Sequence, residues 1–189
     1  MTHQPLVVLE AGLEEVGESP TDSGAVKLIV RRPAIGERET LEVGELSLAE
    51  GLVGDNWQHR GSSRTSDGSA HPEMQLNVMN SRAADLVAVG VDRWPLTGDQ
   101  LFVDLDLSVD NLPPGTQLRL GSAVIEVTPE PHTGCDKFVA RFGLDAVKFV
   151  NSESGREFRL RGLNAKVVRP GTVGVGDVIR KLDASSEAP

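Results

Sequence analysis

The sequence predicts a mainly β protein, one domain of many short strands, numerous enough for a closed or nearly closed β-barrel with a few short helices. Three observations carry this. Strand-length segments of alternating apolar and polar residues follow one another closely from Met74 onward. The 20 glycines and 11 prolines exceed ordinary usage while the apolar content stays ordinary, the composition of a chain with many turns rather than a disordered one. Finally, 189 residues can bury one sizeable core but are few for two, and neither repeat nor linker divides them. Closure would remove exposed strand edges; two packed sheets are the alternative that periodicity leaves open. Residues 1–23 read as an N-terminal extension, 24–181 as the barrel domain and 182–189 as a frayed tail.

Taken in order, residues 24–30 form the first strand, ended at Arg31-Arg32-Pro33 because proline cannot donate to a ladder. Gly36 marks a turn, and the partial alternation of 42–48 and 51–55 reads as short extended pieces. Residues 57–73 hold too few apolar side chains to pack as a regular element and form a long loop, a frequent carrier of function. Residues 74–79 alternate as a strand. Asn80-Ser81 can then cap a helix over 82–89, with Gly90 ending it. From Gly98, strands over 100–107, 116–120 and 123–128 are separated by turns at Pro113-Pro114-Gly115 and Gly121-Ser122. Beyond a proline-rich loop, 144–150 read as a short helix, and 157–160, 164–168 and 177–181 as strands.

No apolar run approaches the roughly 20 residues needed to cross a bilayer. Residues 1–5 lack the basic start and apolar stretch of a secretory signal, so a soluble cytoplasmic protein without membrane contact is expected. One cysteine cannot form an internal disulfide, which leaves packing to hold the fold and a free thiol in a reducing compartment. The net charge of −9 opposes attachment to nucleic acid, and the lack of tyrosine leaves few rings for base stacking. The charge is uneven: residues 1–136 hold 9 Lys and Arg against 22 Asp and Glu, and 137–181 hold 10 against 4. A compact anion could find a local basic site in such a protein, or the charges could simply balance across one surface.

The segment Thr128-Pro-Glu-Pro-His-Thr-Gly-Cys-Asp-Lys137 follows a strand and is shaped by two prolines and a glycine, which places Cys135 at a strand end rather than on a core face. Lys137 and a protonated His132 would favour its thiolate, and Asp136 would oppose it. A thiolate is both a nucleophile and a soft metal ligand, whereas an inert, space-filling cysteine is the plainer alternative. His132 and Cys135 have no second ligand pair at a structural zinc spacing. Nothing demands a Cys-His hydrolase, and no phosphate-binding glycine loop of the G-x-x-x-x-G-K-[ST] or G-x-G-x-x-G kind is present. Asp104 and Asp106 share a strand face, as exposed acids routinely do.

The order of short motifs carries a resemblance. Gly51-Leu-Val-Gly-Asp55 looks like the early GD signature of MOSC domains, and Gly98-Asp-Gln-Leu101 is similar to their G-E-N-L element. Gly121-Ser-Ala-Val-Ile-Glu-Val-Thr128 resembles the strand before their cysteine loop, so Cys135 falls where the family places its functional cysteine. Arg161-Gly-Leu-Asn-Ala-Lys-Val-Val-Arg-Pro-Gly171 and Gly176-Asp177 resemble the closing strands. Two departures stand out: Gln100 replaces the usual asparagine, and His-Thr-Gly precedes the cysteine where many relatives have an adjoining proline.

The resemblance covers roughly residues 24–181. It implies a barrel similar to the inserted barrel of pyruvate kinase and work with sulfur or the molybdenum-pterin cofactor. On it, Cys135, assisted by His132, either ligates molybdenum or carries a persulfide. The cofactor bears phosphate, so Arg32, Arg156 and Arg161 are expected to form an anion pocket, with His59, Arg60 and Lys137 as further lining. A sulfur-donor or redox protein is an expected partner. Pyridoxal phosphate is not expected, because the chain is too short to include the desulfurase that some relatives carry. A non-catalytic cofactor- or partner-binding module is the alternative.

Overall fold

The computed structural model describes residues 3–182. Its strands are β1 (Ser23–Arg31), β2 (Glu39–Leu41), β3 (Val43–Ser47), β4 (Gly51–Leu52), β5 (Leu76–Asn80), β6 (Leu101–Asp104), β7 (Gln117–Leu120), β8 (Ala123–Val127), β9 (Leu163–Arg169), β10 (Gly171–Gly174) and β11 (Val178–Lys181). The α-helices are α1 (Leu6–Ala11), α2 (Leu13–Gly17), α3 (Ser81–Ala88), α4 (Asp136–Val150) and α5 (Glu153–Glu157).

Seven strands close a barrel in the order β11-β7-β8-β9-β5-β6-β1, with β1 returning to β11. β1 makes closure possible because it is long enough for three partners. Ser23–Ala25 pair with β11, Ala25–Ile29 with β6, and Ile29–Arg31 with β2. Its register against β6 shifts between Val26 and Leu28, the kind of bulge that bends a strand around a barrel corner. Among the described residues only β5 and β6 pair in parallel, and α3 with a 3₁₀ turn over Val91–Thr97 supplies the crossover that a parallel pair needs. A smaller sheet, β10-β3-β4, contributes Leu46, Leu52 and Val173 to the barrel interior.

Alternation along the strands sorts the core into two layers. Leu101 and Val103 point into the barrel with Val26, Ile29, Leu76, Val78, Leu118, Ile125 and Ala165. Phe102, Met79 and Val30 point outward and are buried by Leu9, Val16, Ala83, Val87, Phe138, Phe142 and Phe149 of the helices. This part of the wall is therefore covered on both faces. α1 and α2, in the stretch expected to be an extension, pack into the outer layer through Leu9 and Val16.

Three local expectations are corrected. α3 is capped by Asn80, whose side chain accepts from the Arg82 and Ala83 amides, but the left-handed residue at its end is Val89 (φ 58°), one before Gly90. α4 begins immediately after Cys135 instead of at 144, because Phe138 and Phe142 join Ala146, Phe149 and Val150 against the outer layer; Gly143 (φ 87°) kinks it. The strand expected over 157–160 is replaced by α5 and a turn. Ser152 Oγ accepts from the Gly155 amide and starts the helix, while Phe158 and Leu160 turn toward the outer core. Of the tail expected to fray, 183–189 lie outside the described residues.

Candidate functional site

At the end of β1 the chain enters Arg32, whose side chain is buried. Gly54, at φ +78°, makes the turn that presents Asp55 to it. Arg32 Nε and Nη2 donate to the two Asp55 carboxylate oxygens at 2.9 and 2.8 Å, and the Arg32 amide donates to Oδ2 at 2.9 Å. Arg32 Nη1 donates to Asn77 Oδ1 at 3.1 Å and to the Gly98 carbonyl at 2.8 Å. Asn77 passes the network on, donating Nδ2 to Asn164 Oδ1 at 2.6 Å, and its amide donates to Gln100 Oε1 at 2.8 Å. The GD turn thus ties together β1, β5, β9 and the segment around Gly98.

A second buried pair lies beside it. Arg161 Nη1 donates to Asp99 Oδ2 at 2.7 Å and Nη2 to the Thr97 carbonyl at 2.9 Å, while its guanidinium lies 5.0 Å from the centre of the Phe138 ring. Burial, the largest single influence, raises the Asp99 carboxyl, but the Arg161 charge, His132 and the hydrogen bonds from Thr97 and Arg161 together hold its pKa below the ordinary carboxylate value. The His132 side chain is 13 % exposed, with Nδ1 3.5 Å from Asp99 Oδ1. Burial, then the Arg161 charge, push its pKa down to about 3, against the opposing pull of Asp99, so the imidazole is neutral near pH 7. It therefore lends Cys135 no positive charge, contrary to the expectation of a protonated ring. Among the described residues His132 Nδ1, Asp99 Oδ1 and Arg161 Nε are buried without a hydrogen-bond partner.

Cys135 is exposed and caps α4 with backbone geometry, its carbonyl accepting from the Phe138 and Val139 amides at 2.8 and 3.0 Å. The loop that carries it is pinned. Gly134 donates to Asn151 Oδ1 at 2.9 Å, and Asn151 Nδ2 returns a bond to the Gly134 carbonyl at 3.2 Å. The long loop docks alongside, with Arg64 bound to Glu130 at 2.6 Å. Arg60 keeps exposed surface, yet partial desolvation and the Arg32 charge lower its pKa, while Asp55 and Cys135 act the other way. Arg60 and the thiol therefore share one local field.

Residues 65–180, more than half of the chain, match the MOSC domain. The chain belongs to the MOSC domain family. In fold it is similar to the YuaD protein from Bacillus subtilis, with a TM-score of 0.64 and 15 % identity over 84 % of this chain and 95 % of that one. It is also similar to YiiM from Escherichia coli, with a TM-score of 0.55 and 19 % identity over 87 % and 72 % of the two chains. YiiM from Geobacillus stearothermophilus gives 0.52 and 13 % over 90 % and 77 %. At such identities the likeness speaks for the fold. No curated protein matches the chain in sequence.

In this MOSC domain the matched segment begins after β4, yet the closed barrel also uses β1, and the GD turn supplies the carboxylate for Arg32. The rim brings together Arg32, Arg60, Arg161 and His132, since all three guanidiniums act on the imidazole, and Arg60 adds Cys135. Lys137 is exposed in the first turn of α4 and His59 at the end of a 3₁₀ turn over Trp57–His59. Arg156 lines a hollow of about 210 Å³ together with Arg159 and residues 128–133 of the cysteine loop, His132 among them. Asp99 and Asn164 lie within the quoted motifs without being singled out, and Asn77, which joins them in holding the rim, lies in none. Gln100 was singled out, and its longer side chain explains the departure: it reaches the Asn77 amide while Nε2 donates to the Gln75 carbonyl at 3.3 Å. Among the described residues no three His, Cys, Asp or Glu side chains converge as a metal cage, and no helix is long and apolar enough to cross a membrane.

Proposed function

We propose that the rim of this MOSC domain binds a molybdenum-pterin cofactor and that Cys135 is its chemical centre, as a metal ligand or as the carrier of a persulfide. The observation that carries this reading is an exposed thiol on a loop pinned by Asn151, three residues along the chain from His132 and the buried group it forms with Asp99 and Arg161. The donor set fits such a group. A thiolate is a soft ligand, guanidiniums suit a phosphate, and the unpartnered Asp99, His132 and Arg161 atoms behind the loop offer polar contacts. When bound, the cofactor would supply two-electron redox chemistry at molybdenum.

The chain's own residues would divide the work. Cys135 would present its sulfur, and Arg60 would favour negative charge beside it. The Asp99–Arg161 pair and neutral His132 would hold the loop, with Lys137 and His59 at the exposed edge of the pocket. Exposure of Cys135 also favours the sulfur-carrier role, because a donor protein can reach it. The Cys135 thiolate would attack the outer sulfur of a donor persulfide; a new S–S bond forms on Cys135, and the donor's S–S bond breaks with release of its thiolate. The donor would be a separate cytoplasmic protein.

The test is Cys135→Ser expressed in a host that makes the cofactor, assayed for bound pterin, bound molybdenum and sulfur transfer from a persulfide donor. Loss of metal ligation or sulfur loading with the fold intact supports the reading. Unchanged pterin binding with no turnover in either protein would point to the binding-module alternative, and full activity without the thiol would defeat the assignment.

A further inference from the structure

The arginines singled out by the sequence are mostly spent. Arg32 uses four of its five N–H groups internally, Arg161 is paired with Asp99, and Arg156 lines the hollow formed with residues 128–133. Two arginines that no motif marks are placed differently. Arg38 donates Nε to the Pro95 carbonyl at 3.0 Å, and Arg141 donates Nη1 to the Leu96 carbonyl at 2.6 Å. Both are thereby anchored to the backbone just before Gly98, and among the described residues neither has a carboxylate partner.

Their guanidiniums converge on one point. A side-chain carbon built on Gly98 would stand 3.9 Å from Arg38 Nη2 and 4.0 Å from Arg141 Nη1, with no other non-neighbouring atom within 4 Å. The space above Gly98 is therefore open and walled by two cations. Gly98 sits at φ +96°, a conformation that glycine adopts readily, and its carbonyl is fixed from below by Arg32. Arg60 and Arg32 add positive charge that bears on Arg38. The nearby carboxylate, Asp55, is already held by both nitrogens of the Arg32 fork.

Like charges gathered in a partly desolvated place repel one another unless an anion answers them. We infer that Arg38 and Arg141 around Gly98, with Arg60 adding charge nearby, form an anion subsite for a phosphoryl group. This deepens the proposed cofactor reading, since it names the residues that would take a phosphate monoester, and it reassigns that role from Arg156 and Arg161. With Arg38 Nε and Nη1 and Arg141 Nη1 held by backbone carbonyls, the guanidiniums are fixed in place, and their remaining N–H donors, Arg38 Nη2 foremost, suit the oxygens of a phosphoryl group better than chloride.

The test uses the whole chain with inorganic phosphate as the probe, titrated calorimetrically at constant ionic strength made up with chloride. A phosphorylated pterin and its phosphatase-treated form, followed by pterin fluorescence, are the other arms. Arg38→Gln and Arg141→Gln are each expected to weaken phosphate binding about tenfold and the double variant about a hundredfold. Arg60→Gln, which breaks no hydrogen bond among the described residues and so should not disturb folding, should also weaken it, whereas Arg180→Gln on the exposed side of β11 should not. The phosphorylated pterin should bind more tightly than its dephosphorylated form, and that preference should vanish in the double variant. Phosphate affinity unchanged by all three rim substitutions, or no greater than that of chloride, overturns the inference. The cofactor reading fails separately: phosphate bound at these arginines without any pterin preference removes that reading and keeps the subsite, and pterin bound through other residues does the reverse.

Discussion

Removing the Arg32 side chain tests whether the GD turn is the keystone of the rim. Arg32→Ala takes four hydrogen bonds from a site in which the Arg32 and Asp55 side chains are 4 % and 0 % exposed. It leaves Asp55 charged and buried, with only the backbone donors of residue 32 and Trp57 and a long contact from Gln100. Breaking one side of a buried ion pair costs about 3–5 kcal/mol, and the retained amide bonds to Asp55 keep the figure from rising further when the neutral Asn77 and Gly98 acceptors are also bereft. For a chain of this size that is a fall in Tm of about 6–20 °C. Urea unfolding of Arg32→Ala, Asp55→Ala and the double variant measures it. The double variant should be much less destabilised than the sum of the singles, with a coupling above about 1 kcal/mol. A cost below about 1 kcal/mol for Arg32→Ala, or strict additivity, would refute the keystone role.

Three other outcomes are expected. His132 is held neutral, its pKa moving from an unfolded value near 6.5 to about 3, so the unfolded chain binds the extra proton between those pH values. This contribution is complete above pH 6.5 and falls by about 1.4 kcal/mol per pH unit below it; His132→Gln should remove that slope from a series of urea unfolding curves, and an unchanged slope would place the proton elsewhere. Gly162→Ala should cost at least about 2 kcal/mol, because φ there is +95° and the added carbon would collide with the Val78 carbonyl oxygen, a clash that thermal melts should register. Cys135→Ser, at an exposed thiol, should move Tm by no more than about 2 °C, corresponding to a surface change of about 0.5 kcal/mol, so loss of function in that variant can be read as chemistry.

The strands were legible where one face is dry and the other is not a second core. Leu118 and Leu120 of β7, with half-buried Gln117 and Arg119 between them, announce themselves by period two. Leu101-Phe102-Val103 reads as a strand as well, but its apolar run conceals that Phe102 faces the helical layer rather than the barrel. The same two-period habit misled at 157–160, where Phe158 and Leu160 reach one core from the end of a capped helix. Alternation does not distinguish a strand from a turn whose two apolar residues happen to face inward. The start of α4 was hidden for a related reason: Phe138 and Phe142 stand four residues apart, but Gly143 interrupts the pattern, leaving only its second half visible.

At the site, prolines and a glycine mark the strand-end loop that carries Cys135, whereas Arg32, Arg156 and Arg161 are all expected on one ground, that a guanidinium suits a phosphate. Arg38 and Arg141 carried no such mark. They are more than a hundred residues apart and meet only because both reach for carbonyls of the turn before Gly98.

The central claim, that Cys135 is the chemical centre of a cofactor or sulfur site, is tested most directly by metal analysis with intact-mass spectrometry of gently purified protein. The wild-type chain and Cys135→Ser should be produced side by side in a host that makes the molybdenum cofactor. The account predicts bound molybdenum with pterin, or one added sulfur atom, in the wild type and loss of the metal or the sulfur in the variant. Equal molybdenum and sulfur in both proteins, or neither in a wild-type chain saturated with cofactor and persulfide donor, would contradict it.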